Sequence, residues 1–220
     1  MATRSIPIAA GEFYHLYNRG VEKRIIYKDA QDYRRFTELL YVANTRESVD
    51  LRRIRSRYDT VYDWERSDQL VAIGAYCLMP NHFHILLTPL HDEAVGTFMN
   101  KLCTSYSMYF NKKYKRKGTL FEGSYRARYV QNDEYLKYLF SYIHLNPVKL
   151  LQPDWKEKGI KDAAKAYEYA KAFKYSSLLD YQQTPRRESL ILHKESFPDY
   201  FPSTAIQKDE LLQWLDYTQE

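Results

Sequence analysis

The feature that most constrains the fold is a predominantly apolar stretch from Leu70 to Leu87, broken once by Pro80-Asn81 into LVAIGAYCLM and HFHILLT. Each half has strand length and β-formers such as Val71, Ile73, Tyr76, Phe83 and Ile85, and the Pro-Asn pair between them reads as a turn. Two strands joined so tightly lie side by side and run antiparallel. Alternation along the second strand then sends His82 and His84 to one face of the sheet and Phe83 and Ile85 to the other.

Other segments supply further strands and the cover that such a sheet needs. Residues 12–19, EFYHLYNR, alternate like a strand that Gly20 ends, and residues 119–131, TLFEGSYRARYVQ, read as another. Asp29 to Val42 spaces Tyr33, Phe36, Leu39 and Leu40 for one buried helical stripe, and Glu93 to Phe110 places Val95, Phe98, Met99, Leu102, Tyr106 and Tyr109 on or near one face. A third helix opens at Asn132, an N-cap followed by Asp133 and Glu134 where the helix dipole favours acids. Residues 44–69 are polar, with Arg52, Arg53, Arg55 and Arg57 close together, and read as a solvated helix, a loop or an insertion. Beyond Pro153, helical segments are expected at 161–173 and 204–217. The order predicts an α+β fold, one antiparallel sheet covered by helices, as a domain over residues 1–152 with a helical C-terminal extension over 153–220.

With 220 residues, 45% of them hydrophobic, the chain can close a core. Cys77 and Cys103 form no CxxC pattern, which points to a reducing compartment. No apolar run approaches the roughly 20 residues of a membrane span, and no charged-then-apolar leader opens the chain, so the expectation is a soluble cytoplasmic protein without membrane contact. The 22 tyrosines allow either a tyrosine-heavy core or a base-stacking surface. Between Lys101 and Val130, eight cations (Lys101, Lys112, Lys113, Lys115, Arg116, Lys117, Arg126, Arg128) face one acid, Glu122. Tyr106, Tyr109, Tyr114, Phe121, Tyr125 and Tyr129 interleave with them. That mixture suits a single nucleic-acid strand, with a solvated basic loop as the plainer reading.

Two imidazoles side by side on a rigid strand suit a divalent metal but leave it incompletely held, and two hydrogen-bonded histidines at a sheet end remain the alternative. The helix DEYLKYLFSYIHLNP offers a further donor: Leu136, Leu139, Phe140 and Ile143 define its buried stripe, while Tyr135, Tyr138, Tyr142 and Asn146 form a second stripe beside it. Tyr142 and Asn146 stand one turn apart, although Pro147 disfavours helical geometry at Asn146. Packing alone accounts for Tyr135 and Tyr138. Two histidines, an amide and a tyrosine describe a metal-assisted attack of a phenol on a phosphodiester.

The blocks HLYNRG, AYCLMPNHFHILL, GTLFEGSYRARYV, NDEYLKYLFSYIHLNPVK and, more weakly, KYSSLLDY resemble the single-tyrosine HUH transposases, in particular the REP-associated tyrosine transposases, over roughly residues 11–181. The resemblance implies a ferredoxin-like sheet, Mg²⁺ or Mn²⁺ held by His82, His84 and Asn146, and Tyr142 as the nucleophile, which Tyr135 and Tyr138 match less well. It also implies cleavage and joining of single-stranded DNA beside a hairpin through a 5′-phosphotyrosine, by a monomer or homodimer. The expected DNA-binding residues are Arg19, Lys112, Lys113, Lys115, Arg116, Lys117, Tyr125, Arg126 and Arg128. Ser124 and Tyr125 stand where the family usually has an arginine, which moves that contact to Arg126 or Arg128. Leu150-Leu151-Gln152 replaces the usual glycine-containing turn after NPVK. Competing expectations are a catalytically silent binder of structured DNA or RNA, and a phosphohydrolase that uses water in place of the tyrosine.

Overall fold

The computed structural model describes residues 8–216. The leader expectation at residues 1–7 and position 217 of the last expected helix lie outside the described residues. Pro80 and Asn81 turn β2 (Val71–Met79) into β3 (His82–Pro89), with Met79 paired to His82 across the turn. The turn is held from outside, since its two carbonyls accept N–H groups of the loop after β1 (Tyr14–Arg19): Pro80 from Ile26 at 2.9 Å and Asn81 from Gly20 at 2.8 Å. With β4 (Arg126–Tyr129) the strands form one antiparallel sheet of order β2-β3-β1-β4.

Helix α1 (Ala30–Val42) follows β1, the short α2 (Leu51–Arg57) leads towards β2, and α3 (Ala94–Lys113) links β3 to β4. This βαββαβ order is that of a ferredoxin-like fold. Asp29 caps α1 by accepting from the N–H groups of Gln31 and Asp32, both at 3.0 Å. The stripes of α1 and α3 bury Phe36, Leu40, Phe98, Leu102 and Tyr106 against Leu16, Phe83, Ile85 and Leu87 on one sheet face. Each such side chain contributes about 1.5–3 kcal/mol by leaving water.

Helix α4 (Asp133–Leu145) covers the opposite face, where Leu136, Leu139, Phe140 and Ile143 meet Ala75, Cys77, Met79 and Leu86. Its N-cap is Asn132, whose side-chain oxygen accepts from Tyr135 N at 2.8 Å. At its other end the expectation from Pro147 fails. Asn146 has φ −52° and ψ −38°, and the chain continues through Pro147 into α5 (Val148–Leu151). Pro147 is tolerated because it precedes the first turn of α5, where no intrahelical donor is required.

One other expectation is corrected. The strand expected over 119–131 shortens to Arg126–Tyr129, because pairing with β1 stops at Arg126 and resumes only as an isolated bridge between Gly20 and Phe121. There Val21 N donates to Leu120 O and Glu122 N to Arg19 O, and Gly123 adopts φ +69°. Within residues 44–69 the arginines of α2 are solvated, yet Ile54 and Val61 are buried against the α1 side. Asn44 pins the segment to the sheet by accepting from Leu70 N and Val71 N at 3.0 and 2.9 Å and donating to Val71 O at 2.8 Å.

The helical extension comprises α6 (Trp155–Lys158), α7 (Ala163–Ala172), α8 (Leu178–Tyr181) and α9 (Thr204–Asp216). It closes the outer edge of β2: Leu78 N donates to Tyr175 O, and Ser177 N donates to Tyr76 O, each at 2.9 Å. Covering an edge in this way removes unpaired groups that would otherwise recruit another chain. The Phe197 ring lies over Gly74 so closely that a Cβ there would come within 2.8 Å of it. Finally, α9 packs on α4 through Tyr138 against Trp214, 4.8 Å between ring centroids, and a Lys137–Glu210 ion pair of 2.6 Å.

Candidate active site

The sheet register decides which side chains meet under α4. Tyr17 pairs with His84 and Arg19 with His82, so the alternate residues His15, Tyr17 and Arg19 of β1 share a face with the two histidines of β3. The His82 and His84 rings lie 5.0 Å apart. His15 completes a row, its Nε2 2.8 Å from His84 Nδ1 with the rings stacked at 5.0 Å. Tyr142 descends from α4 with its ring 5.5 Å from His84 and 5.8 Å from His15, edge-on to both. One chain thus supplies both the histidines and the tyrosine.

Burial keeps these imidazoles neutral. It pushes His15 down to about 4, assisted by Arg128, and His82 to about 4, assisted by Lys149 and Arg19. His84 is driven well below its ordinary value by burial and by the other two histidines. The hydrogen bonds also settle which nitrogen is free. Asn81 Nδ2 donates to Lys23 O, which leaves its Oδ1 to accept from His82 Nδ1 at 2.6 Å and the His82 Nε2 lone pair unused. The His84 Nδ1 is engaged by His15 Nε2, which directs His84 Nε2 away from that contact.

Tyr142 is flanked by two cavities. One, of about 500 Å³, is bounded by His15, Tyr17, His84 and Arg128. The other, of about 370 Å³, is bounded by Asn146, Lys149, Trp155, Lys156 and Trp214. Burial raises the Tyr142 phenol above its ordinary value, partly offset by the Asn146 side chain. Asn146 donates its amide N–H to the Tyr142 carbonyl at 2.9 Å, while its Oδ1 is buried without a partner. Lys156 places its ammonium 4.2 Å from the Tyr142 ring centroid, and burial together with Lys149 lowers it to about 8. Among the described residues no group of three or more His, Cys, Asp or Glu is arranged to hold a metal, so an ion bound by His82 and His84 needs other donors.

The model of the IS200-like transposases matches residues 34–146, a span that contains both histidines of β3, Tyr142 and Asn146. The chain belongs to this family. The chain also shares its fold with the solved structure of a REP-associated tyrosine transposase bound to a REP hairpin, at 14% identity and a TM-score of 0.53 over 86% of this chain and 90% of that one. No curated protein matches the sequence. Among the described residues, no helix is long and apolar enough to cross a membrane.

The expected DNA-binding residues separate into three groups. Arg128 borders the larger cavity with its guanidinium 5.0 Å from the Tyr135 ring, and Arg126 is exposed beside it on β4, just after Tyr125. Arg19, paired with Glu122, lies opposite His82 at the end of the sheet. The basic segment over the last turn of α3 and the loop after it is partly committed to structure. Lys113 contacts Asp29 at 2.8 Å and Asp32 at 2.7 Å, and Arg116 contacts Asn111 at 2.6 Å, while Lys112, Lys115 and Lys117 are exposed.

Sequence reasoning missed His15, Lys149, Trp155 and Lys156. The phase of HLYNR places His15 with Tyr17 and Arg19, but only the pairing of β1 with β3 puts it beside His84. Trp155 and Lys156 follow Pro153 and carry no pattern that connects them to Tyr142.

Proposed function

We propose that this transposase cleaves and rejoins single-stranded DNA beside a hairpin, with Tyr142 as the nucleophile and a divalent ion bound by His82, His84 and Asn146. The observation that carries this reading is the contact of Tyr142 with His84 in the same chain, between two cavities open to a strand. The donor set fits such an ion. Burial keeps both histidines neutral, the Nδ1 of each is engaged by a neighbour and its Nε2 is not, and Asn146 Oδ1 is a buried oxygen without a partner. His15 would serve as the outer partner that orients His84. Two imidazoles favour Mn²⁺ more than Mg²⁺, which prefers oxygen ligands and retains water. Bound there, the ion would supply positive charge to a phosphodiester oxygen.

The chain's own residues do the rest. Arg128 and Lys149, on either side of Tyr142, bring cations to a backbone lying across it. The Tyr142 oxygen forms a bond to phosphorus as the bond from phosphorus to the 3′ oxygen breaks. The phenol gives up its proton and the departing 3′ oxygen gains one. The product is a 5′-phosphotyrosine with a free 3′ hydroxyl, and the reverse attack reseals the strand because a phenolate is a good leaving group. A phenol with an ordinary pKa near 10, raised further here by burial, is protonated at neutral pH, so attack requires the charge of the ion and of the nearby lysines.

The test incubates the protein with labelled single-stranded hairpin DNA from beside its own gene and Mn²⁺ or Mg²⁺, followed by a denaturing gel. A protein–DNA adduct lost in both Tyr142→Phe and His82→Ala is the expected result. Cleavage that persists in Tyr142→Phe would sink the tyrosine mechanism in favour of attack by water. Tight binding without cleavage under any condition would identify a silent binder.

A further inference from the structure

On the sheet face away from Tyr142, α2 gathers positive charge that the fold does not use. Four of its residues, Arg52, Arg53, Arg55 and Arg57, are exposed arginines, and the helix contains no acid. Arg34 and Arg35 of α1 border a cavity of about 320 Å³ together with Arg55. The carboxylates nearby are Glu38, ion-paired with Arg55, Asp50, which caps α2 by accepting from Arg52 N at 2.8 Å, and Asp59 at the cavity. Two of those three are thus engaged already, and the surface keeps an excess of guanidinium groups. Like charges held this close repel, and a bound anion relieves the repulsion.

Arg35 stands at the centre of this surface. It separates the first cavity from a second, of about 440 Å³, that Arg52 and Lys101 also border. Its guanidinium carbon lies 4.7 Å from the Tyr109 ring centroid, and its Nε is buried without a partner. Burial disfavours its charge, and Arg55 adds to the effect. A guanidinium fixed against a ring, with its charge incompletely answered, is preorganised for an oxyanion.

The side chains select the kind of anion. The arginine fork matches phosphate, whereas the one lysine at these cavities, Lys101, already donates to the carbonyls of Thr45 and Glu47 at 2.5 and 2.6 Å. Residues one helical turn apart stand about 5–6 Å from each other, so Arg52 with Arg55 and Arg53 with Arg57 form rows that suit a repeating charge better than one small ion. Stacking surface for unpaired bases is sparse: Tyr58 is 39% exposed, and Arg35 lies on the Tyr109 ring. Tyr17, Tyr135 and Tyr138, by contrast, border the cavity beside Tyr142. A duplex, with phosphates outside and bases already stacked within, fits the arginine surface; a single strand fits the tyrosine one.

We infer that the α1–α2 face is a second nucleic-acid site, which grips the phosphodiester backbone of duplex DNA without reading its sequence while a single strand occupies the Tyr142 side. Ile54 of α2 packs into the core beneath α1 and α3, whereas Tyr142 belongs to the cluster beneath α4, so the sheet separates the two sites and one chain can hold both DNA segments at once. Duplex binding there does not require Tyr142 to be the nucleophile.

The test titrates the full-length protein, in chelator so that no strand is cut, into a fluorescent blunt-ended duplex of arbitrary sequence at salt concentrations from about 50 to 200 mM. The variant replaces three exposed arginines that are free of ion pairs with other side chains, Arg34→Gln, Arg52→Gln and Arg53→Gln, and circular dichroism confirms its folding. The expected result is at least tenfold weaker duplex binding at the low-salt end and a slope of log affinity against log salt that is shallower by about 2–3. Adduct formation on a short single strand, measured separately with Mn²⁺, is expected to change by less than about twofold, because none of the three borders the Tyr142 cavities. A second variant with the same loss of charge, Lys112→Gln, Lys115→Gln and Lys117→Gln, is expected to lower the duplex slope much less. No duplex affinity in the unsubstituted protein, an unchanged slope in the arginine variant, or an equal fall in the lysine variant overturns the second site. Absence of any adduct in the unsubstituted protein overturns the Tyr142 reading alone and leaves the duplex result standing.

Discussion

The two faces of one sheet differ in what they leave unfinished. Under α1 and α3, Leu16, Phe36, Phe83, Ile85 and Tyr106 are fully buried, and polar intrusions are answered locally. Asp32 there receives Lys113 at 2.7 Å, Tyr114 at 2.7 Å and Tyr109 at 2.9 Å. Under α4 the same strands present His15, His84 and Tyr17, and the partnerless atoms Ser141 Oγ, His144 Nδ1, Asn146 Oδ1 and Trp155 Nε1 gather on or beside that helix. The first face is not wholly satisfied, since Tyr27 Oη and Arg35 Nε also lack partners. Alternation permits this division: each strand contributes one side chain to stability and the next to chemistry.

The sharpest way to test the division is to remove a group from one face and ask what is lost. Tyr142→Phe is expected to reduce adduct formation by on the order of 10⁴-fold or more while changing unfolding free energy by less than about 0.5 kcal/mol. Gel assay and urea titration on the same preparation check both. An equal loss of stability would break the distinction. Phe36→Ala should do the reverse, lowering stability by about 3–5 kcal/mol in urea while the folded fraction still binds Mn²⁺.

Acid provides a third comparison, because the neutral buried histidines lie on the α4 side. His15 and His82 have folded values near 4, below the ordinary 6.5, so the unfolded chain binds protons that the folded chain refuses. Their stabilising contribution is complete above about pH 6.5 and is lost as pH falls towards 4, by on the order of a few kcal/mol in total. Thermal unfolding of metal-free protein across that window is expected to show the fall, and His15→Gln to flatten it. A profile unaltered by the substitution would place the titrating groups elsewhere. The smallest expected effect concerns orientation of His84: His15→Ala should weaken Mn²⁺ binding by roughly 10–100-fold in calorimetry. Unchanged affinity would reduce His15 to a packing residue.

Much of this architecture was legible in one dimension because it depends on short-range geometry. Pro80-Asn81 marked the turn, the two-residue repeat put His82 and His84 on one face, and Asn132 marked the start of α4. The helical repeat set Tyr142 and Asn146 one turn apart. These relations involve neighbours within a few residues, so no distant partner was needed to establish them. The registry of β1 on β3, which brings His15 to His84 from 69 residues away, is a long-range choice among alternative pairings. The same holds for Lys113, whose charge looked available until α1 supplied Asp29 and Asp32. Asn146 kept helical geometry against the preference of a residue before proline because α5 begins there. Only tertiary packing decided that Trp155, Lys156 and Trp214 would share a cavity with Tyr142, since that placement depends on how α6 and α9 bury their apolar faces and not on any spacing within the chain.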